Sequence, residues 1–371
     1  MAERSLTVVQ LLPALGQGGV ERGTVEIAAA LVAAGHRALV VSGGGPLVQE
    51  LEALGAEHHR LPIGAKSLRT LLLVRQLRTW LETARADILH LRSRLPAWIG
   101  WLAWRAMDPA TRPRLVTTVH GFYSVSRYSA IMTRGERVIA VSDAIGQYVQ
   151  TRYPQTPPQN IHVIHRGIDH GHYPHGLSAD PDWAAEQRSE WDLEEDVPLL
   201  LLPGRLTRLK GHETFVRLVA SLNAAGQPVC GIVAGGEDAR RRAYARSIYA
   251  AADGLPIRFI GARRDLRDWM ALADVVLSLS SQPESFGRTV LEALALGRPV
   301  VGFDHGGVGE ILAQLFPEGA VGLGDEETLR SRVTEVLAKP PAVEPVTKFS
   351  LARMQQATLA LYAALADAPR H

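Results

Sequence analysis

QPESFGRTVLEALALGRPVVGFDHGGVGE, residues 282–310, sets the reading of the whole chain. Gln282 to Gly287 is a loop. A helix follows over about Arg288 to Leu296, because apolar residues recur there at helical spacing and Gly297 supplies a C-terminal stop. Pro299 to Phe303 reads as a short buried strand, and Asp304 to Gly309 as a second glycine-rich loop. Glu284 stands in the first loop and Glu292 inside the helix, with seven residues between them. Loop amides and a helix N-terminus favour an anion such as phosphate. A carboxylate repels phosphate but accepts hydrogen bonds from hydroxyls. One carboxylate at each end of a phosphate cradle therefore points to a ligand that carries both groups, a nucleotide sugar.

Glu284 and Glu292, with Phe286-Gly287 and Leu291-Glu292-Ala293 between and around them, resemble the E-x7-E motif of retaining GT-B glycosyltransferases, the glycosyltransferase family 4 (group 1) type. The resemblance covers nearly the whole chain, and its most specific motifs lie in the second half. It implies an α/β protein with two Rossmann-like, doubly wound parallel-sheet domains facing each other across a cleft. Residues 1–170 form the acceptor-side domain in this reading, and residues 171–348 bind the nucleotide sugar. The tail helix, about 349–366, is expected to cross back onto the first domain.

Size and composition agree. A chain of 371 residues suits two domains of ordinary size, and 46% hydrophobic content is enough for two cores. The net charge of +2 is divided unevenly. Residues 1–170 hold 19 basic and 12 acidic side chains, the remainder 21 and 26, so the halves carry +7 and −5. A basic first half suits an anionic acceptor or membrane surface. Cys230 lies in an apolar run and excludes an internal disulfide. The N-terminus lacks the pattern of a signal peptide, and no run reaches the roughly 18 apolar residues of a membrane span. A cytoplasmic protein is expected, peripheral on the inner face of the membrane at most, with no nucleic acid partner and no metal.

In the first half, Leu6 to Leu12 and Ala38 to Val41 read as strands flanking a helix over Thr24 to Ala34. Gly16-Gln17-Gly18-Gly19 forms the turn, in a spacing that is not a dinucleotide fingerprint. Strands at Ile88 to Leu91, Arg114 to Val119, Val138 to Val141 and Ile161 to Ile164 follow, with helices near Leu68 to Ala84 and Pro96 to Ala106. By resemblance, Gly18 and Gly19 approach the donor, and His120, at the carboxyl end of a strand, lies beside the donor sugar. Arg92 and Arg94, directly after a strand, and Tyr123 and Arg127 are candidates for contact with a phosphorylated or lipid-linked acceptor, because arginines pair with phosphates and aromatic rings stack on sugars. Trp98, Trp101 and Trp104 recur every third residue, which fits either a core stripe or a surface. His165-Arg166-Gly167-Ile168-Asp169 departs from the family's Asn-Gly-Ile/Val-Asp at Arg166. Residues 170–195 show no clean periodicity and read as an interdomain connection.

In the second half, the strand Pro198 to Pro203 is followed by Gly204-Arg205-Leu206-Thr207-Arg208-Leu209-Lys210-Gly211. Arg205 and Lys210 resemble the pair that holds the donor diphosphate in this family. Negative charge grows on that diphosphate as the glycosidic bond breaks, so fixed cations stabilise the transition state. Gly235 closes the next strand, and Gly261 to Arg264 resembles the family's nucleobase loop, with Arg263 as a stacking or rim residue. Gly204, Ser285, Phe286, Gly287, Arg288 and Thr289 complete the donor set, and Glu292 binds ribose hydroxyls.

The implied chemistry is transfer of a hexose from a nucleoside-diphosphate sugar, UDP in preference to GDP. Arg205, Lys210, Glu284 and His120 are its catalytic group, and no further cofactor is needed. The stretch His120 to Arg134 resembles bacterial envelope-polysaccharide enzymes, those of lipopolysaccharide core assembly in particular. Two other classes share the fold signal: a nucleotide-sugar epimerase, which needs no acceptor, and a silent sugar-nucleotide-binding protein.

Overall fold

The structure is a computed structural model that describes residues 4–16, 18–237 and 242–369. Gln17, part of the first glycine turn, lies outside the described residues. The chain divides into two compact units. One runs to Arg166 and resumes at Ala352; the other is Gly167–Leu351.

The first unit holds seven parallel strands: β1 (Thr7–Leu11), β2 (Arg37–Ser42), β3 (Glu57–Arg60), β4 (Ile88–Leu91), β5 (Arg114–Val119), β6 (Arg137–Ala140) and β7 (Ile161–Val163). Their spatial order is 3-2-1-4-5-6-7. The second unit holds six: β8 (Leu199–Pro203), β9 (Cys230–Ala234), β10 (Ile257–Gly261), β11 (Val275–Ser278), β12 (Val300–Phe303) and β13 (Ala320–Val321), in the order 10-9-8-11-12-13. Each sheet reverses its winding once, between β1 and β4 and between β8 and β11. In open α/β sheets that reversal opens a crevice at the carboxyl ends of the strands, and ligands bind there.

The central strands are apolar because both of their faces are covered. Leu199 and Leu201 join one core cluster, Leu200 and Leu202 the other, and none of the four is more than 1% exposed. The tail helix Leu351–Asp367 belongs to the first unit from Ala352 onward. Tyr362 on it is fully buried, its hydroxyl 2.6 Å from Nδ1 of His90 on β4, and the Arg114 guanidinium donates to the Leu365 carbonyl at 3.1 Å. Among the described residues no helix is long and apolar enough to cross a membrane.

Three local readings need correction. The first helix is Gly19–Ala33 with Gly18 as its N-cap, so the glycine turn ends five residues before the expected helix start. Gly306 to Gly309 are not loop but the first turn of the helix Gly306–Leu315. Glycines have low helix propensity, and here close packing selects them, as shown below. Residues 181–190 form a helix, not a structureless connection. Asp180 accepts from the Trp183 N–H at 3.0 Å, Pro181 starts the helix and Asp182 lies in its first turn. Strong capping with a nearly uniform polar surface explains why periodicity failed there. Trp183 from this helix packs edge-on against the buried Trp269, centroids 5.5 Å apart.

The tryptophan stripe is neither core nor free surface. Trp98, Trp101 and Trp104 are half-buried against the first unit's core. Guanidinium groups of Arg105 and Arg134 lie 4.7 and 4.8 Å from the Trp101 ring centroid, and that of Arg112 lies 3.5 Å from Trp104.

Candidate functional site

Three loops meet at the carboxyl edge of the second sheet. After β8 the chain turns through Gly204, which has φ +152°, then Arg205 and a short 3-10 turn, Arg208–Lys210. Gly211, at φ +73°, starts the helix His212–Ala224. A Cβ on Gly211 would lie 1.9 Å from the Leu279 carbonyl oxygen beyond β11. A Cβ on Gly235, beyond β9, would lie 1.9 Å from the carbonyl oxygen of Gly204. Backbone therefore crosses backbone at distances that only glycine permits. The same holds around Glu284. The Gly307 N–H donates to the Glu284 carbonyl at 2.8 Å, and a Cβ at Gly307 would strike Phe286 Cα at 2.3 Å. The glycines of His305-Gly306-Gly307 are thus the means of pressing one loop onto the other.

Lys210 and Glu284 meet in this crowded place. Lys210 Nζ is 2.7 Å from Glu284 Oε1. The Ser280 hydroxyl donates to the same oxygen, and His305 Nε2 lies 2.8 Å from the Ser280 carbonyl oxygen. Burial alone pushes the Glu284 carboxyl up; the Lys210 ammonium and the Lys210 and Ser280 hydrogen bonds outweigh it and hold the carboxyl below its ordinary value. Arg205 is exposed on the same loop and its side chain forms no ion pair or hydrogen bond among the described residues. One cation is thus engaged with the carboxylate and the other is available to a ligand.

The lowered Glu284 value ties stability to pH. Its stabilisation is fully present above the ordinary carboxylate pKa of 4.5 and is lost as pH falls through the lower folded value. Denaturation midpoints followed downward from about pH 6 should therefore fall less steeply in Glu284→Gln than in the wild type. Parallel acid limbs would remove the assignment.

Glu292 sits on the helix Arg288–Ala295, whose N-cap Gly287 has φ +91°. It is 3.4 Å from Arg288 Nε, and its charge, after burial, helps to raise the pKa of the Tyr173 hydroxyl. Ser285 and Thr289 are half-buried and Phe286 is buried. Phe286 packs edge-on against Phe349, centroids 5.8 Å apart, so it serves as an anchor for the loop.

Two donor-side candidates stand elsewhere. Gly261 ends β10 at φ +70° with open space about it. Arg263, the stacking or rim candidate, forms a two-pronged ion pair with Asp265, at 2.8 and 2.6 Å, over the Trp269 ring. Adjacent opposite charges satisfied its fork locally.

In the first unit, His120 follows β5. Arg166 Nη2 lies 2.7 Å from His120 Nδ1, and the His120 N–H donates to the Tyr123 hydroxyl at 3.2 Å. Arg94 begins the helix Arg94–Arg105 and stacks on Tyr123 at 4.8 Å from the ring centroid. Arg127 is exposed. Gly18 and Gly19 are exposed at the start of their helix. Arg92 departs from its reading as a residue that reaches an acceptor. It is 2% exposed and donates to Gln10 Oε1 at 2.8 Å. It leaves β4 in the middle of the sheet, beneath the helix Gly19–Ala33, and its guanidinium is part of the interior.

Residues 17–172 match the model of Glycosyltransferase Family 4, and residues 184–350 match that of Glycosyl transferases group 1. The chain belongs to this family. Among curated relatives it is similar to the D-inositol 3-phosphate glycosyltransferase of Xylanimonas cellulosilytica, 30% identical over 60% of this chain and 56% of that protein. It therefore spans little more than half the length of that relative. A glycosyltransferase from Rickettsia africae superposes with a TM-score of 0.86 and 26% identity, over 99% of this chain and 100% of the other. Anabaena HepE, solved with UDP and glucose, gives 0.79 and 20%, over 97% and 100%. These likenesses place the two parallel sheets of this family 4 member in the GT-B fold.

Four residues of this arrangement carry no plain signal of their place in the sequence. Ser280 and Tyr173 have no local signature. His305 was in view without a role. Arg166 was visible only as a departure from the family pattern.

Proposed function

We propose that the protein is a retaining glycosyltransferase that moves a hexose from UDP-sugar to a hydroxyl of an anionic envelope glycan, of the lipopolysaccharide-core kind. The observation that carries the reading is the meeting of Lys210 and Glu284 at the winding reversal of the second sheet, with Arg205 on the same loop. Arg205 and Lys210 take the diphosphate, Glu284 orients the sugar through its hydroxyls, and Glu292 accepts from the ribose. The acceptor oxygen attacks the anomeric carbon from the face that the diphosphate leaves. The bond from anomeric carbon to phosphate oxygen breaks, and the departing phosphate oxygen takes the acceptor proton. Arg205 and Lys210 stabilise the charge that this separation creates. His120 touches the sugar, and Arg94, Tyr123 and Arg127 face the acceptor. No metal is required in this scheme, and the basic first half would hold an anionic glycolipid at a membrane surface.

UDP is preferred because a structurally similar protein was solved with UDP and glucose. The acceptor class rests on the +7 balance of residues 1–170 and on the His120 to Arg134 resemblance. A panel of nucleotide sugars, assayed for transfer, for hydrolysis and for epimerised donor, tests the reading. Transfer to a phosphorylated glycan supports it; an epimerised donor without acceptor, or binding with no turnover, overturns it. A glycosyl adduct trapped on the protein would overturn the single-step route.

Glu292→Ala should weaken UDP binding by about one to two decades, since losing one partner of a buried hydrogen bond costs about 1–3 kcal/mol. Calorimetric titration of UDP checks this. An unchanged Kd would free Glu292 from the ribose.

A further inference from the structure

Arg166 and His120 form a pair whose protonation is dictated by chemistry. A guanidinium has five donors and no acceptor. With Arg166 Nη2 at 2.7 Å, His120 Nδ1 can only accept, so the imidazole proton resides on Nε2. That Nε2–H is enclosed and has no hydrogen-bond partner among the described residues. The side chain is an oriented donor whose own hydrogen bond is unmade.

The surroundings are built to keep it so. Three groups act on the ring from two strands: Arg166 beyond β7, and His90 on β4 with Arg92 just beyond it. The Tyr123 hydroxyl accepts from the His120 backbone N–H, away from the ring nitrogens. His90 is itself held between the Tyr362 hydroxyl and Thr118 Oγ1, both at 2.6 Å. Burial first, then the two guanidiniums and His90, hold His120 well below the ordinary histidine value, so it stays neutral. The helix opposite makes room for this. Gly23 stands in the middle of Gly19–Ala33, a poor position for glycine on propensity. A Cβ there would lie 2.2 Å from Arg166 Nη1 and 3.3 Å from Arg92 Nη2.

We propose that Arg166 is a positioning residue that fixes His120 as a neutral donor through Nε2, so that the imidazole gives a hydrogen bond to a substrate oxygen and does not act as a proton acceptor. The identity of that oxygen, a hydroxyl of the transferred sugar, rests on the glycosyl-transfer reading; the tautomer does not.

Nuclear magnetic resonance of the intact protein with nitrogen-15-labelled histidine decides the matter, with His120 assigned by loss of its signals in His120→Gln. The expected spectrum has unprotonated Nδ1 and protonated Nε2, unchanged between about pH 5.5 and 8. Arg166→Met should mix the tautomers and bring a titration toward the ordinary value of about 6.5. It should also lower kcat/KM about tenfold and add an acid limb to the pH profile, with Arg166→Lys restoring the native tautomer. Arg166→Ala serves equally if the methionine variant does not fold. A proton on Nδ1 of the native protein, or an Arg166 variant with an unaltered spectrum, overturns the proposal. The expected spectrum without any glycosyl transfer overturns the functional reading and leaves the tautomer assignment standing.

Discussion

The Arg205→Ala/Lys210→Ala double variant is expected to lose about three orders of magnitude in kcat while its affinity for UDP falls far less. Both cations follow β8 on one loop, and Gly204, Gly211 and Gly235 let that loop press against its neighbours. A preorganised donor aimed at developing charge is worth about 10²–10³ in turnover. The diphosphate already carries charge in the ground state, so part of the attraction is spent on binding. The part that grows as the glycosidic bond breaks appears in kcat. Lys210 begins in contact with Glu284 at 2.7 Å, whereas Arg205 begins exposed. The two single variants should therefore differ, and their effects need not add. Steady-state rates with saturating donor, beside UDP titrations, measure both quantities. A double variant with near-normal turnover would strip both residues of their role.

Glu284→Gln is expected to lower turnover by about two orders of magnitude, because hydrogen bonds to a charged group contribute about 1.5–3 kcal/mol. The substitution keeps the shape and leaves an oxygen to accept from Ser280. It removes the charge that fixes Lys210 and that grips sugar hydroxyls. UDP, which has no transferred sugar, should bind the variant about as well as the wild type. That contrast separates Glu284 from Glu292, whose loss should show in UDP binding. Weakened UDP binding with unchanged transfer would exchange their roles.

The fold was legible because its central strands are buried on both faces. Runs such as Pro198 to Pro203 and Arg114 to Val119 are too short for helices and too apolar for loops, and they appear as the strands Leu199–Pro203 and Arg114–Val119. What failed was local and polar. The helix Pro181–Glu190 is set by a cap and a proline and has only a weak apolar stripe. The glycines at 306, 307 and 309 suggested a loop, because nothing in the local sequence tells of the backbone of Glu284 and Phe286 pressed against the first two, or of Asp304 against the third. The Glu284 and Lys210 pairing joins residues 74 positions apart, and only their shared chemistry hinted at it. Arg92 shows the opposite limit. An arginine after a strand suits an acceptor surface, yet the sheet's centre and the helix above it turned this one inward to Gln10. His305 acquires meaning only from the Glu284 carboxylate, which it supports through Ser280.

A crystal structure of the protein with UDP tests the central claim most directly. The account predicts the diphosphate within about 3 Å of Arg205 and Lys210, with the ribose hydroxyls on Glu292. A diphosphate bound away from both cations, with Lys210 still closed on Glu284, would contradict it.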